Sequence, residues 1–172
     1  MRPTLAVLAL VALFTTGCGY HTAGHAARIP ENVKAIAIPA FTNQTQNYRI
    51  EQTMTSAVAR EFLSRTKYRV LNEESSNADA TLKGTVVSAQ LSPLTYDSKT
   101  GRASSGLVTV TMRVSLTDRS GHVLFDNPNY VFREEYQISR EVSSFFEEES
   151  PAVDRMARDF ARSLVADILE NY

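Results

Sequence analysis

The sequence predicts a two-layer α+β fold, in which a strand and a helix are followed by an antiparallel meander of three or more strands and a closing helix. Three observations carry this expectation. Over Leu107–Thr117, Val108, Val110, Met112, Val114 and Leu116 alternate with Thr109, Thr111, Arg113, Ser115 and Thr117, the pattern of a strand buried on one side only. Two segments repeat apolar residues at helical spacing: Ile50, Met54, Ala57, Val58 and Phe62, then Val153, Ala157, Phe160, Leu164 and Ile168. A length of 172 residues, 43% hydrophobic and 22% charged, suits one globular domain.

Taken in order, Val33–Ala40 reads as a strand that ends at Pro39, and Thr42–Asn47 as a polar turn. The first helix is expected over Tyr48–Thr66, its Met and Phe stripe facing a core. Tyr68–Leu71 is a short strand and Asn72–Asp79 a polar loop. Ala80–Leu91 is a longer strand, with Leu82 and Val86 on one face and Lys83, Thr85 and Val87 on the other, and Ser92–Ser105 connects it to Leu107–Thr117. The turn Asp118-Arg119-Ser120-Gly121 leads into a strand over His122–Ile138, interrupted at Asn127-Pro128-Asn129, where proline has no N–H for a ladder. Ser150 and Pro151 suit the N-cap and first position of the last helix, the acids Glu147–Glu149 precede its positive end, and Asp154 and Arg158 form an i, i+4 pair.

Eighteen Lys plus Arg against nineteen Asp plus Glu leave no basic footprint, so nucleic acid is not an expected partner. No nucleophile–base pair, paired acids or phosphate-binding glycine loop is recognisable; no catalytic residue is assigned and the chain is read as a non-enzyme. His21 and His25 are four apart, but Gly24 lies between them and no Cys, Asp or Glu accompanies them, so no metal is expected. Glu147–Glu149 reads as a solvated helix entry and His122 as a surface residue of a turn.

The first segment has the form of a secretory signal: Arg2, the apolar run Leu5–Phe14, then Thr15-Thr16-Gly17 before the single cysteine, Cys18. The run is about half of the roughly 20 apolar residues a membrane-spanning helix needs. Thr15-Thr16-Gly17-Cys18 resembles a bacterial lipobox, with Thr15 where Leu is usual. The expected organisation is a cleaved signal over residues 1–17, a lipidated start and tether over 18–32, and one domain over 33–172. Cys18 would carry a diacylglycerol and an N-acyl chain, and no other cofactor is expected. Each buried methylene contributes about 0.8 kcal/mol, so two or more chains hold stably at a membrane where one is marginal. By resemblance to Gram-negative lipoproteins, Gly19 after the cysteine permits export to the outer membrane.

Several segments together resemble the LptE family of lipopolysaccharide-assembly lipoproteins. They are Cys18-Gly19-Tyr20-His21, the run from Ile29-Pro30-Glu31-Asn32-Val33 to Ala40-Phe41-Thr42-Asn43, Ala78-Asp79-Ala80-Thr81-Leu82-Lys83-Gly84, Phe132-Arg133-Glu134-Glu135-Tyr136, and Phe145-Phe146-Glu147-Glu148-Glu149. The resemblance implies two helices packed on one face of a mainly antiparallel four-stranded sheet. It also implies a lipid-anchored place on the periplasmic side of the outer membrane, with an LptD-like β-barrel as partner and lipopolysaccharide as cargo. A plug inside such a barrel needs polar outer faces, because barrel interiors are polar. The Thr109, Thr111 and Arg113 face suits that contact. Lys99 and Arg102 flank Gly101 in the Ser92–Ser105 connection, where cations would meet lipopolysaccharide phosphates. Cations outnumber acids over residues 18–132 and acids outnumber cations over 133–172.

Ala35–Thr45 also resembles the opening strand and loop of CsgG-like and LpoB-like lipoproteins, which form secretion pores or activate cell-wall synthases. The later Phe132–Tyr136 and Phe145–Glu149 segments favour the LptE resemblance.

Overall fold

Leu107–Thr117 lies at the heart of a mixed sheet of six strands. The computed structural model describes residues 29–47, 49–137 and 151–170. The elements are β1 (Ala35–Ala37), β2 (Thr42–Asn43), α1 (Ile50–Arg65), β3 (Arg69–Leu71), β4 (Ala80–Tyr96), β5 (Ala103–Asp118), β6 (Val123–Gln137) and α2 (Pro151–Glu170). The sheet runs β3-β1-β4-β5-β6, and β2 pairs with β4 beyond the end of β1. The meander β4–β5–β6 is antiparallel throughout, as the alternating pattern predicts.

The expected mainly antiparallel four-stranded sheet is corrected in number and in direction. β1 pairs in parallel with both β3 and β4, and β2 in parallel with β4. For β1 and β3 the cause is connectivity: α1 carries the chain from the end of the β1–β2 segment back to the start of β3, and a strand reached through a helical crossover runs parallel to the one before it. Thr42–Asn43 is part of the ladder rather than a turn, and the first strand is shorter than the Val33–Ala40 expected. The Ser92–Ser105 connection also contracts, because β4 and β5 keep pairing as far as Tyr96 and Ala103.

The helices seal one sheet face. Ile50, Met54, Ala57, Val58 and Phe62 of α1 are buried, and so are Val153, Ala157, Phe160, Leu164 and Ile168 of α2, joined by Met156, Ala161 and Val165. They meet Val108, Val110, Met112, Val114 and Leu116 of β5, none more than 1% exposed, in one core cluster. Gly84 on β4 belongs to the same arrangement: a Cβ there would stand 2.9 Å from ring atoms of Phe41, so the missing side chain is the space the aromatic ring occupies. Phe41 is fixed from behind by its own N–H, which donates to Thr55 Oγ1 of α1 at 2.9 Å.

Two tyrosines on the core side of β6 tie α2 down. Tyr130 Oη donates to Asp167 Oδ2 at 2.7 Å and Tyr136 Oη to Asp159 Oδ2 at 2.9 Å. Phe160 lies between those acids in sequence, edge-on to the rings of Tyr130 and Phe132. Where β1 and β4 begin, Asp79 closes the sheet end: Oδ2 accepts from the N–H groups of Lys34 and Ala35, and Oδ1 from Arg119. Those backbone bonds, and the guanidinium to a smaller extent, hold the Asp79 carboxyl below its usual range.

Ser150, Glu147–Glu149, His21, His25 and Cys18 lie outside the described residues, as do residues 1–28, Tyr48 and Ile138. Among the described residues, Asp154 and Arg158 form no ion pair, contrary to the i, i+4 expectation; Arg162 instead pairs with Asp159 at 3.3 Å.

Candidate functional site

The sheet face opposite the helices is built by the alternate side chains of β4, β5 and β6. Thr109 stands between Gln90 and Arg133, Thr111 between Ser88 and Val131, and Ser115 between Lys83 and Asp126. Thr109, Thr111 and Arg113 therefore share one face, as the alternation predicts, with both threonines half-buried between their cross-strand neighbours and Arg113 exposed. Lys83 on this face is engaged by Glu74 at 2.7 Å.

Near Arg113, which faces Thr85 on β4, the ladder is irregular on both sides at slightly different levels. β4 inserts Val87 between Val86, opposite Met112, and Ser88, opposite Thr111. β6 inserts one residue too, because Met112 faces Tyr130 while Val114 faces Asn127, leaving Pro128 and Asn129 against the single Arg113. A proline is tolerated there because β6 is an edge strand, and bulges bend a strand and re-aim the side chains beside them. The loop after β2 closes against the same point. Gln44 N–H donates to the Val86 carbonyl at 2.9 Å, Asn47 Nδ2 to the Ala89 carbonyl at 3.1 Å, and Arg113 Nη2 to Gln44 Oε1 at 3.2 Å. Asn43 organises that loop, donating to the Asn47 carbonyl and to Glu51 and accepting from Thr45.

Lys99 and Arg102 sit apart from this face. The β4–β5 ribbon ends in a tight turn in which Asp97 Oδ1 accepts from the N–H groups of Lys99 and Thr100, the Asp97 carbonyl accepts from Gly101, and the Asp97 N–H donates to the Arg102 carbonyl. Gly101 has φ +68°, a left-handed value that costs a residue with a side chain more than glycine. The turn brings the two cations to one tip, both exposed, together with Asp97, whose carboxyl is held below its usual range chiefly by the Thr100 hydrogen bonds. Beneath the tip, Leu94 is 47% and Tyr96 64% exposed. Ten residues of β5 separate Ala103 from Arg113, roughly 33 Å at about 3.3 Å per residue, so tip and bulged face are distinct surfaces.

The Thr-rich face and the two cations stand where the sequence pattern places them. The Gln44 loop and the Val87 bulge do not follow from that pattern, and the one signal near them is the proline inside the last strand.

A shallow groove of about 690 Å³ on the helix side is lined by Glu61, Arg65, Phe132, Glu134, Asp159 and Arg162 among others; Arg65 pairs with Glu61 and Arg162 with Asp159. Among the described residues there is no cluster of three or more metal-ligating side chains, and no helix is long and apolar enough to cross a membrane.

The family model described as LptE, lipopolysaccharide-assembly, matches residues 33–168, which hold every strand and nearly all of both helices. The chain belongs to the LptE family. That is a non-enzymatic family of lipoproteins of lipopolysaccharide assembly. No curated protein sequence matches the chain. Among solved structures it is similar to the PelC dodecamer of Paraburkholderia phytofirmans, with 15% identity and a TM-score of 0.52 over 86% of this chain and 94% of that one. It is also similar to the hypothetical protein CT253 of Chlamydia trachomatis, with 10% identity and a TM-score of 0.53 over 79% of this chain and 95% of that one. These likenesses show a shared fold.

Proposed function

We propose that this LptE-family protein assists assembly of an LptD-type β-barrel, acts as its plug, and helps pass lipopolysaccharide to the outer leaflet of the outer membrane. In this reading acyl chains on Cys18 hold it to the periplasmic side. The observation that carries the proposal is the contrast between the two sheet faces: one is sealed by α1 and α2, the other offers Thr109, Thr111 and Arg113 in a polar surface suited to a polar barrel interior. Lys99 and Arg102 are the proposed phosphate contacts, because guanidinium and ammonium groups at an exposed tip meet phosphate oxygens without first breaking a buried structure.

The tagged, lipidated protein extracted from its own outer membranes should retain a large β-barrel near one-to-one, identified by mass spectrometry. It should remain a monomer when that barrel is withheld. A self-assembled ring, or a cell-wall synthase in place of the barrel, would transfer the protein to the CsgG-like or LpoB-like class. For the tip, Lys99→Glu with Arg102→Glu should weaken binding to purified lipopolysaccharide about tenfold or more, and unchanged affinity would remove these two residues from the proposal.

A further inference from the structure

The open face holds a charge for which the described residues offer no counter-charge. Arg113 is exposed, and among the described residues no carboxylate lies within ion-pair distance of it; its partner is the neutral Gln44 Oε1 at 3.2 Å. Some other cations have a counter-charge: Lys83 has Glu74 at 2.7 Å, Arg119 has Asp79 at 3.2 Å and Arg162 has Asp159 at 3.3 Å. Asp126, on the same face one row away opposite Ser115, makes no ion pair with it. On β4 Arg113 faces Thr85 in regular register, and on β6 the bulge at Pro128–Asn129 lies directly opposite it. A bulge beside a residue of the central strand increases the local twist and re-aims the side chains next to it. Four residues along β5, Thr109 faces a second cation, Arg133, which also lacks an ion pair among the described residues.

We infer that Arg113 is the anchor of the open face for a carboxylate on the partner barrel, held ready by the neutral Gln44 beside the β6 bulge. This rests on the plug reading and names the chemistry of its contact. A carboxylate satisfies both prongs of a guanidinium, which a single amide oxygen does not, so the incoming acid displaces Gln44 rather than joining it. Arginine is also among the residues most often found to carry an interface. The Gln44–Arg113 bond is thus a placeholder in the free protein, and the loop Asn43–Asn47 that presents Gln44 keeps the guanidinium from collapsing onto the threonines.

The test uses the full lipidated chain expressed with its barrel and recovered from outer membranes, reading the barrel-to-protein ratio. Arg113→Glu should lower that ratio tenfold or more, while Arg158→Glu on the outer side of α2 should leave it unchanged. Gln44→Glu is the decisive variant. It supplies an internal carboxylate about where the partner's should sit, so it should raise the thermal midpoint of the free protein and yet reduce barrel recovery at least threefold. If Arg113 served only to brace the Gln44 loop, Gln44→Glu would strengthen the brace and leave recovery intact, which overturns the inference. Loss of co-purified lipopolysaccharide with the barrel retained in Arg113→Glu would mean that the occupant is a phosphate, and the inference falls. If the unmodified protein recovers no barrel, the plug reading fails and takes this inference with it; if the unmodified protein, Arg113→Glu and Gln44→Glu recover it equally, only the inference fails.

Discussion

Gly84 shows how one missing Cβ organises a core. The Phe41 ring takes the space above β4 that any side chain at position 84 would claim, at 2.9 Å from the position of its Cβ. Real Cβ contacts do not come that close, and Phe41 is fixed at its backbone by Thr55, so the ring cannot simply step aside. Gly84→Ala should therefore destabilise by about 1–3 kcal/mol through overpacking, despite the better strand propensity of alanine. Chemical denaturation checks this, and Phe41→Leu in the same chain should recover part of the loss by shrinking the neighbour. An additive effect of the two substitutions would contradict the packing argument. The sequence contains both residues in the segments that resemble the LptE family, but nothing in their spacing announces that they touch, because contact between positions 41 and 84 depends on β2 pairing with β4.

Element packing turns on the two tyrosines of β6. Tyr130 and Tyr136 are pushed well above the usual tyrosine value of 10.0, first by burial and then by their hydrogen bonds to Asp167 and Asp159. Their hydroxyls thus stay protonated in the folded protein at pH values where the unfolded chain would lose the proton. The resulting stability is fully present below about pH 10 and is lost as the pH rises above it towards the folded values. Tyr130→Phe and Tyr136→Phe should each cost about 1–3 kcal/mol at neutral pH, since each leaves an aspartate short of a donor. Both should flatten the alkaline fall in melting temperature, and an unaltered alkaline limb would exclude these hydroxyls as its source. The helix that they hold was legible as a stripe from Val153 to Ile168, and α1 likewise from Ile50 to Phe62, because 3.6-residue periodicity is written locally. Strand direction is not. That β1 runs parallel to β3 follows from a crossover through α1, which the order strand, helix, short strand already contained. The Val87 bulge had no such signal, since a single extra residue in an alternating strand leaves the local pattern nearly unchanged.

The whole molecule is a ribbon sealed at one end and bare at the other. At the end where β1 and β4 begin, Asp79 and Arg119 tie backbone from three segments together. β4 then runs for 17 residues, roughly 56 Å at about 3.3 Å per residue, to a turn whose last strand residues are exposed. Core burial is concentrated nearer the sealed end, so the turn bearing Lys99 and Arg102 contributes little to global stability. Replacing residues 97–102 with a two-residue Asn-Gly turn, which closes an antiparallel pair of the same twist, should therefore leave the melting temperature within about 2 °C of the original. The same replacement removes both cations along with Asp97 and should weaken lipopolysaccharide binding as much as the double charge reversal does. Contacts between exposed cations and phosphates weaken as salt screens them, so the affinity of the intact protein should fall between low and physiological ionic strength while that of the shortened ribbon changes little. A shortened ribbon that binds with full affinity and full salt dependence would move the lipopolysaccharide contact off the tip. A shortened ribbon that unfolds would show that the turn is part of the cooperative core, against the burial that places it outside.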